Sequence, residues 1–75
     1  MKTFNILINS INDVKNFVNI VNRYSFDIDL VSGRYVVDAK SIMGIFSLDL
    51  SKVIKVEAHT EDDQILEDLK SFIVA

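Results

Sequence analysis

Four short segments of this chain alternate apolar with polar residues. Their apolar members are Phe4, Ile6 and Ile8 in the first; Phe26, Ile28 and Leu30 in the second; Tyr35, Val37 and Ala39 in the third; Ile54, Val56 and Ala58 in the fourth. A period of two is typical of a strand with one buried face. Because all four segments share it, the sequence predicts a sheet that is covered on one side only.

Two longer segments carry apolar residues at helical spacing, which predicts helices that cover the sheet. The first follows Ser10, a predicted N-cap with Asp13 three residues later. Its predicted buried stripe is Ile11, Val14, Phe17, Val18 and Val21. The last is predicted to begin at Thr60, with Asp63 at the corresponding capping position. Its predicted stripe is Ile65, Leu66, Leu69, Phe72 and Ile73.

A short third helix is predicted to begin at Ser41, which stands directly before an apolar run. As N-cap, the Ser41 hydroxyl accepts a backbone N–H of the first turn, which is worth about 1 kcal/mol. We expect the helix to end near Leu48 or Asp49. Its geometry turns Met43 to one side and places Ile42, Ile45 and Phe46 roughly on another. So short a helix cannot bury all four, and we expect apolar surface to stay exposed beside the hydroxyl.

The predicted order is strand, helix, two strands, short helix, strand, long helix. Ser32-Gly33 is the predicted turn between the second and third strands, because glycine adopts positive φ without strain. Segments of one-sided strands and amphipathic helices in this order predict an α+β open-faced sandwich. We expect residues 1–75 to form a single domain, as 75 residues suffice for only one core.

Composition excludes several classes of function. The chain has no cysteine and a single histidine, so it offers neither disulfides nor a thiolate or histidine metal cluster. A net charge of −3 with scattered lysine and arginine argues against nucleic-acid binding, and no apolar run approaches the ~20 residues of a membrane span. With no signal-peptide pattern at Met1-Lys2-Thr3, we expect a cytoplasmic protein without a cofactor. Its acidic residues, among them Asp27, Asp29, Asp62 and Asp63, form no evident catalytic pair, so we expect no enzyme.

The run Lys40-Ser41-Ile42-Met43-Gly44-Ile45-Phe46-Ser47-Leu48 resembles the regulatory-serine segment of the HPr family, the phosphocarrier proteins of the bacterial sugar phosphotransferase system. That family's pattern, Lys-Ser-Ile-Met-Gly-(Val/Ile)-(Met/Phe)-Ser-Leu, is matched almost letter for letter. The resemblance implies four antiparallel strands with the three helices on one face. It also implies that Ser41 is phosphorylated by HPr kinase/phosphorylase. We expect Lys40, Ile42, Met43 and Phe46 to contact a protein partner, and Ile45 and Leu48 to be core.

The second motif of the family is missing. Family members carry phosphate on a histidine in a Gly-(Ile/Leu)-His-Ala-Arg-Pro motif at the start of the first helix, whereas this chain has Asn9-Ser10-Ile11-Asn12-Asp13-Val14. Counting back from Tyr24 places Ser10 nearest the carrier position, and counting from the first strand places Asn12 there. Neither alignment supplies histidine, arginine or proline. His59 is expected at the opposite edge of the sheet, so we predict no phosphohistidine.

The leading hypothesis is an HPr-like regulatory protein, similar to the catabolite-repression HPr paralogue, whose phosphorylated Ser41 docks a catabolite control transcription regulator. A second hypothesis is a phosphotransferase-system component that docks enzyme I or a sugar-specific acceptor without carrying phosphate. A third is a structural or dimerising module, a monomer or weak homodimer that associates through Met43 and Phe46.

Overall fold

Five antiparallel strands form one sheet in the computed structural model, which describes residues 1–74. The strands are Lys2–Ile6 (β1), Ile28–Ser32 (β2), Tyr35–Asp38 (β3), Ile54–Ala58 (β4) and Ile73–Val74 (β5), in the spatial order β3-β2-β4-β1-β5. The helices are Ile11–Val21 (α1), Ile42–Phe46 (α2) and Gln64–Asp68 (α3). The predicted α+β open-faced sandwich is confirmed, with one strand more than expected.

The apolar residues that alternate with polar ones in the strands lie on one buried face of the sheet, as predicted. Ile54, Val56 and Ala58 of the central strand β4 are fully buried, whereas Lys55 between them is exposed. Val56 pairs with Phe4 of β1 on one side and with Leu30 of β2 on the other, so apolar side chains form rows across the sheet. The helices cover this face, and the other face carries polar side chains together with Val31 and Val36.

The N-cap of α1 is confirmed, but its buried stripe is shorter than predicted. Ser10 Oγ accepts the backbone N–H of Asp13 at 3.1 Å, and Asp13 Oδ2 accepts the N–H of Asn9 at 3.2 Å. Val14, Phe17 and Val21 are fully buried and Val18 is half-buried. Ile11, the first residue of the helix, is 63% exposed, so its predicted burial is wrong.

The C-terminal segment differs from the prediction of a long helix and a four-stranded sheet. Thr60 Oγ1 accepts the N–H of Asp62, so a turn precedes α3, which begins only at Gln64. Ile73 and Val74 leave the helical path and pair with Ile6 and Asn5 of β1. These two β-branched residues satisfy the edge of β1 that would otherwise be unpaired, and β-branched residues favour strands. Phe72 still packs on the core, its ring 5.7 Å from that of Phe17 in an edge-to-face contact.

The β2–β3 turn and the end of α2 lie closer to their predicted positions than the C-terminal segment does. The positive φ of Gly33, +60°, is confirmed, but the two turn residues are Gly33 and Arg34, because Ser32 belongs to β2 and pairs with Tyr35. Helix α2 ends at Phe46, with Ser47 as its C-cap, two residues before the expected end. Leu48 is nevertheless buried, because the chain turns back toward the core directly after the helix.

Two long side chains tie the turn between α1 and β2 to the rest of the molecule. The Tyr24 hydroxyl donates a hydrogen bond to Asp68 Oδ2 of α3. The Lys40 ammonium donates to the carbonyl oxygens of Tyr24 at 2.7 Å and Phe26 at 2.9 Å. These side-chain hydrogen bonds are half-buried and link the turn to α3 and to the segment before α2.

Replacing Tyr24 tests the first tie. Partial burial and the hydrogen bond to Asp68 raise the pKa of Tyr24 from 10.0 to about 12. Because the folded state holds this proton more tightly, the stabilisation is complete below pH 10 and is lost as the pH rises toward 12. We expect the stability advantage of wild type over Tyr24→Phe to shrink across that range in urea unfolding. Tyr35→Phe, at a 71% exposed tyrosine, is the control, and a Tyr24→Phe difference that is constant with pH would contradict the assignment.

Replacing Lys40 tests the second tie. We expect Lys40→Met to lower the free energy of unfolding by about 1–3 kcal/mol, because two half-buried carbonyl groups lose a charged donor. Lys15→Met, at an exposed position of α1, is the matched control and should stay within about 0.5 kcal/mol of wild type. Equal stabilities for the two variants would show that the Lys40 contacts are not structural.

Candidate functional site

Ser41 is the N-cap of α2, as predicted. Its backbone is extended, with φ −101° and ψ 109°, and its Oγ accepts the N–H of Gly44 at 3.2 Å. The Ser41 N–H donates to the Asp38 carbonyl at 3.0 Å, and its own carbonyl accepts the N–H of Ile45 at 3.1 Å. The main chain is therefore held on both sides of an exposed side chain.

Gly44 leaves the surroundings of the Ser41 hydroxyl open. A Cβ at position 44 would lie 3.3 Å from the Cβ of Val37 and 3.5 Å from Ser41 Oγ. Helix α2 thus packs closely against β3 at this point, and glycine avoids both contacts. With no side chain at position 44, nothing from this turn of the helix covers the hydroxyl.

The apolar residues of α2 separate into a buried and an exposed group, as expected. Ile45 is fully buried, whereas Met43 is 76% and Phe46 is 42% exposed. Ile42 is half-buried and packs against the core. We call Met43 and Phe46, with the exposed part of Ile42, the α2 apolar patch. It lies on the same one-and-a-half-turn helix that Ser41 caps, and its role in partner binding stays a prediction.

Lys40 differs from its neighbours, because its ammonium group is already held by the two carbonyl oxygens of the α1–β2 turn. Its backbone N–H is also engaged, because it donates to Asp38 Oδ1 at 2.9 Å. A contact between Lys40 and a partner therefore stays a prediction, and the structure adds a stabilising role that local sequence could not reveal.

The start of α1 is the segment for which we predicted no phosphohistidine, and this stays a prediction. Residues 9–14 contain no histidine, arginine or proline. Of the two alternatives for the carrier position, Ser10 uses its hydroxyl as the helix cap and Asn12 is an exposed residue of the first turn. The Asp13 carboxylate accepts the N–H of Asn9 and so places a negative charge at the start of α1.

His59 lies at the other end of the sheet, as predicted. It follows directly after β4, whose last residue, Ala58, pairs with Lys2 at the beginning of β1, whereas α1 starts beyond the end of β1. The His59 ring Nε2 lies 3.3 Å from Asp29 Oδ2, and its backbone N–H donates to the carbonyl of Asp27.

The remaining acidic residues serve local contacts. Asp63 forms an ion pair with Lys2 at 2.7 Å and raises the pKa of that lysine, and Asp62 accepts the N–H of Gln64. Between Met1 and Val74 no three histidine, cysteine or acidic side chains are grouped so that they could hold a metal ion. Over the same residues, no helix is both long and apolar enough to cross a bilayer.

Three solved structures of other proteins share the fold of this chain. HPr-C-His from Thermoanaerobacter tengcongensis is 31% identical, with a TM-score of 0.79 over 95% of this chain and 89% of that one. The phosphocarrier protein HPr from Bacillus anthracis str. Ames is 25% identical, with a TM-score of 0.75 over 97% and 96%. The histidine-containing phosphocarrier protein of Mycoplasma, 17% identical with a TM-score of 0.75 over 93% and 89%, shares the fold.

A search of curated protein sequences gave no significant match. The family model described as "PTS HPr component phosphorylation site", however, matches residues 13–75, which is most of the chain. Together with the solved structures, this match shows that the chain belongs to the PTS HPr family of phosphocarrier proteins.

Proposed function

We propose that this protein is a regulatory member of the HPr family that accepts phosphate on Ser41 and carries none on histidine. HPr kinase/phosphorylase is the proposed modifying enzyme, and a catabolite control transcription regulator is the proposed partner. The observation that carries the proposal is the exposed Ser41 hydroxyl on the helix that also bears the α2 apolar patch.

A phosphate on Ser41 changes the charge of this surface without needing a new fold. It adds about −1.5 to −2 charges and three strong acceptor oxygens at neutral pH. The Ser41 side chain already accepts the N–H of Gly44, so phosphate oxygens have a donor nearby. The backbone bonds of Ser41 to Asp38 and Ile45 do not involve the hydroxyl and are retained. A partner would therefore recognise new charge next to apolar surface that is present before and after modification.

Two observations support the loss of the carrier role. Residues 9–14 offer no nucleophilic imidazole, and the carboxylate of Asp13 lies where phosphate would approach.

Phosphorylation by HPr kinase and ATP tests the acceptor. We expect one phosphate per chain on Ser41, located by peptide mass spectrometry, and none on Ser41→Ala. Ser47→Ala is the matched control, because Ser47 caps the other end of α2 and its hydroxyl donates to the Gly44 carbonyl. Phosphate on Ser47, or an unmodified wild-type protein beside a phosphorylated HPr from Bacillus anthracis, would refute the proposal.

Titration of the regulator with the Ser41-phosphorylated protein tests the α2 apolar patch. We expect Met43→Asp to weaken binding about tenfold or more, because it places a charge in the apolar centre of the proposed interface. Val36→Asp, at a 62% exposed valine of β3, is the matched control and should bind like wild type. If phosphorylation gives no gain in affinity, or if both variants bind equally well, the patch is not the docking surface. Light scattering separates the dimerising alternative, in which Met43→Asp abolishes a wild-type dimer.

A further inference from the structure

A cleft of about 510 Å³ lies at the end of α2 that is remote from Ser41. One wall is the turn between β2 and β3, with Arg34 and Tyr35, and the other is the segment between α2 and β4, with Ser47, Asp49 and Lys52. A volume of this size is within the range of small-molecule sites. None of these five residues contributes to the phosphorylation site proposed above.

Two cationic side chains from different segments line this cleft. Neither Arg34 nor Lys52 has a carboxylate within 4.0 Å among residues 1–74, whereas Lys2, Lys55 and Lys70 each have one. With Asp49 as the one acidic residue of the lining, the cleft has a formal charge of +1 in a chain of net charge −3. Arginine and lysine that are not engaged in ion pairs are suited to bind a phosphate group.

The cleft also has an aromatic wall. Tyr35 pairs with Ser32 of β2, on the side of the sheet that the helices cover, yet it is 71% exposed. Val53, also in the lining, is 51% exposed. An uncovered tyrosine ring beside an apolar side chain offers a flat surface for the apolar face of a ring-bearing ligand.

Two oxygen atoms in the cleft are available to accept hydrogen bonds. The Ser47 hydroxyl donates its proton to the Gly44 carbonyl, so its oxygen can accept from a ligand. Asp49 Oδ1 accepts both the hydroxyl and the N–H of Ser51, and these bonds, with a smaller contribution from the charge of Lys52, hold the pKa of Asp49 below its usual value. Asp49 Oδ2 has no donor among the described residues. Acceptors of this kind bind ligand hydroxyl groups, not a second anion.

We infer that this cleft binds a phosphate monoester of a hydroxylated ring, with the phosphate between Arg34 and Lys52, the ring on Tyr35 and hydroxyl groups on Ser47 and Asp49. A sugar phosphate and a nucleotide share this chemistry. This inference goes beyond the proposed function and does not depend on it, because Ser41 lies at the other end of α2.

Titration of the ¹⁵N-labelled protein, followed by amide NMR, tests the site. Glucose 6-phosphate and AMP are the two phosphate monoesters, and glucose and inorganic phosphate are the controls. We expect shifts centred on Gly33, Ser47 and Val53 with one or both monoesters, and the stronger of the two identifies the source of the ligand. No shift in the cleft with either monoester would overturn the inference. So would equal affinity for inorganic phosphate, since the ring would then contribute nothing.

Variants locate the binding groups. We expect Arg34→Ala and Lys52→Ala each to weaken monoester binding about tenfold, the usual effect of losing a charge-assisted hydrogen bond. Arg23→Ala and Lys15→Ala are matched controls, because they remove exposed cations outside the cleft. If the control variants lose as much affinity as the cleft variants, the loss reflects only the lower net positive charge. That result would contradict a specific site in the cleft. The amide spectrum of each variant verifies its fold in the same experiment.

Discussion

Strand β4 lies between β1 and β2, and the side chains on one of its faces are buried. The rest of the structure depends on this burial. Val56 pairs with Phe4 and with Leu30, so the two halves of the chain share one row of core side chains. Because β4 runs antiparallel to β1, the residue after β4 and the first helix lie at opposite ends of the sheet. That topology separates His59 from the start of α1, where family members carry their phosphohistidine. That His59 takes no part in phosphotransfer is therefore our prediction, and it rests on this separation.

Features that depend on neighbouring residues could be predicted from the sequence, and features that depend on distant pairing could not. Ser10 and Ser41 cap their helices through a backbone N–H three residues on, a contact that the sequence specifies locally. Ile73, by contrast, fits the helical stripe as well as a strand. Only the free edge of β1, almost seventy residues earlier, selects the strand and adds the fifth member of the sheet. The spacing of Ile11 likewise predicts burial, but the residue is 63% exposed at the first position of α1.

In the candidate site too, features set by neighbouring residues could be predicted and features set by distant residues could not. The exposure of Met43 and the burial of Ile45 could be predicted, because a short helix against a sheet buries one side only. The two carbonyl partners of Lys40 could not, since they belong to the α1–β2 turn, which is distant in sequence. The cleft at the far end of α2 could not be predicted from local sequence either, because Arg34 and Lys52 line one cleft only once β3 and the segment before β4 are in place.

The central claim is that phosphate in this family member is attached to Ser41 oxygen and not to histidine nitrogen. The most direct test exposes the protein to phosphorylated enzyme I and to HPr kinase with ATP together, then measures intact mass before and after mild acid. A phosphoserine ester survives acid, whereas the P–N bond of phosphohistidine hydrolyses. Our account predicts one acid-stable phosphate that is absent from Ser41→Ala and unchanged in His59→Ala. An acid-labile phosphate that disappears in His59→Ala would contradict it.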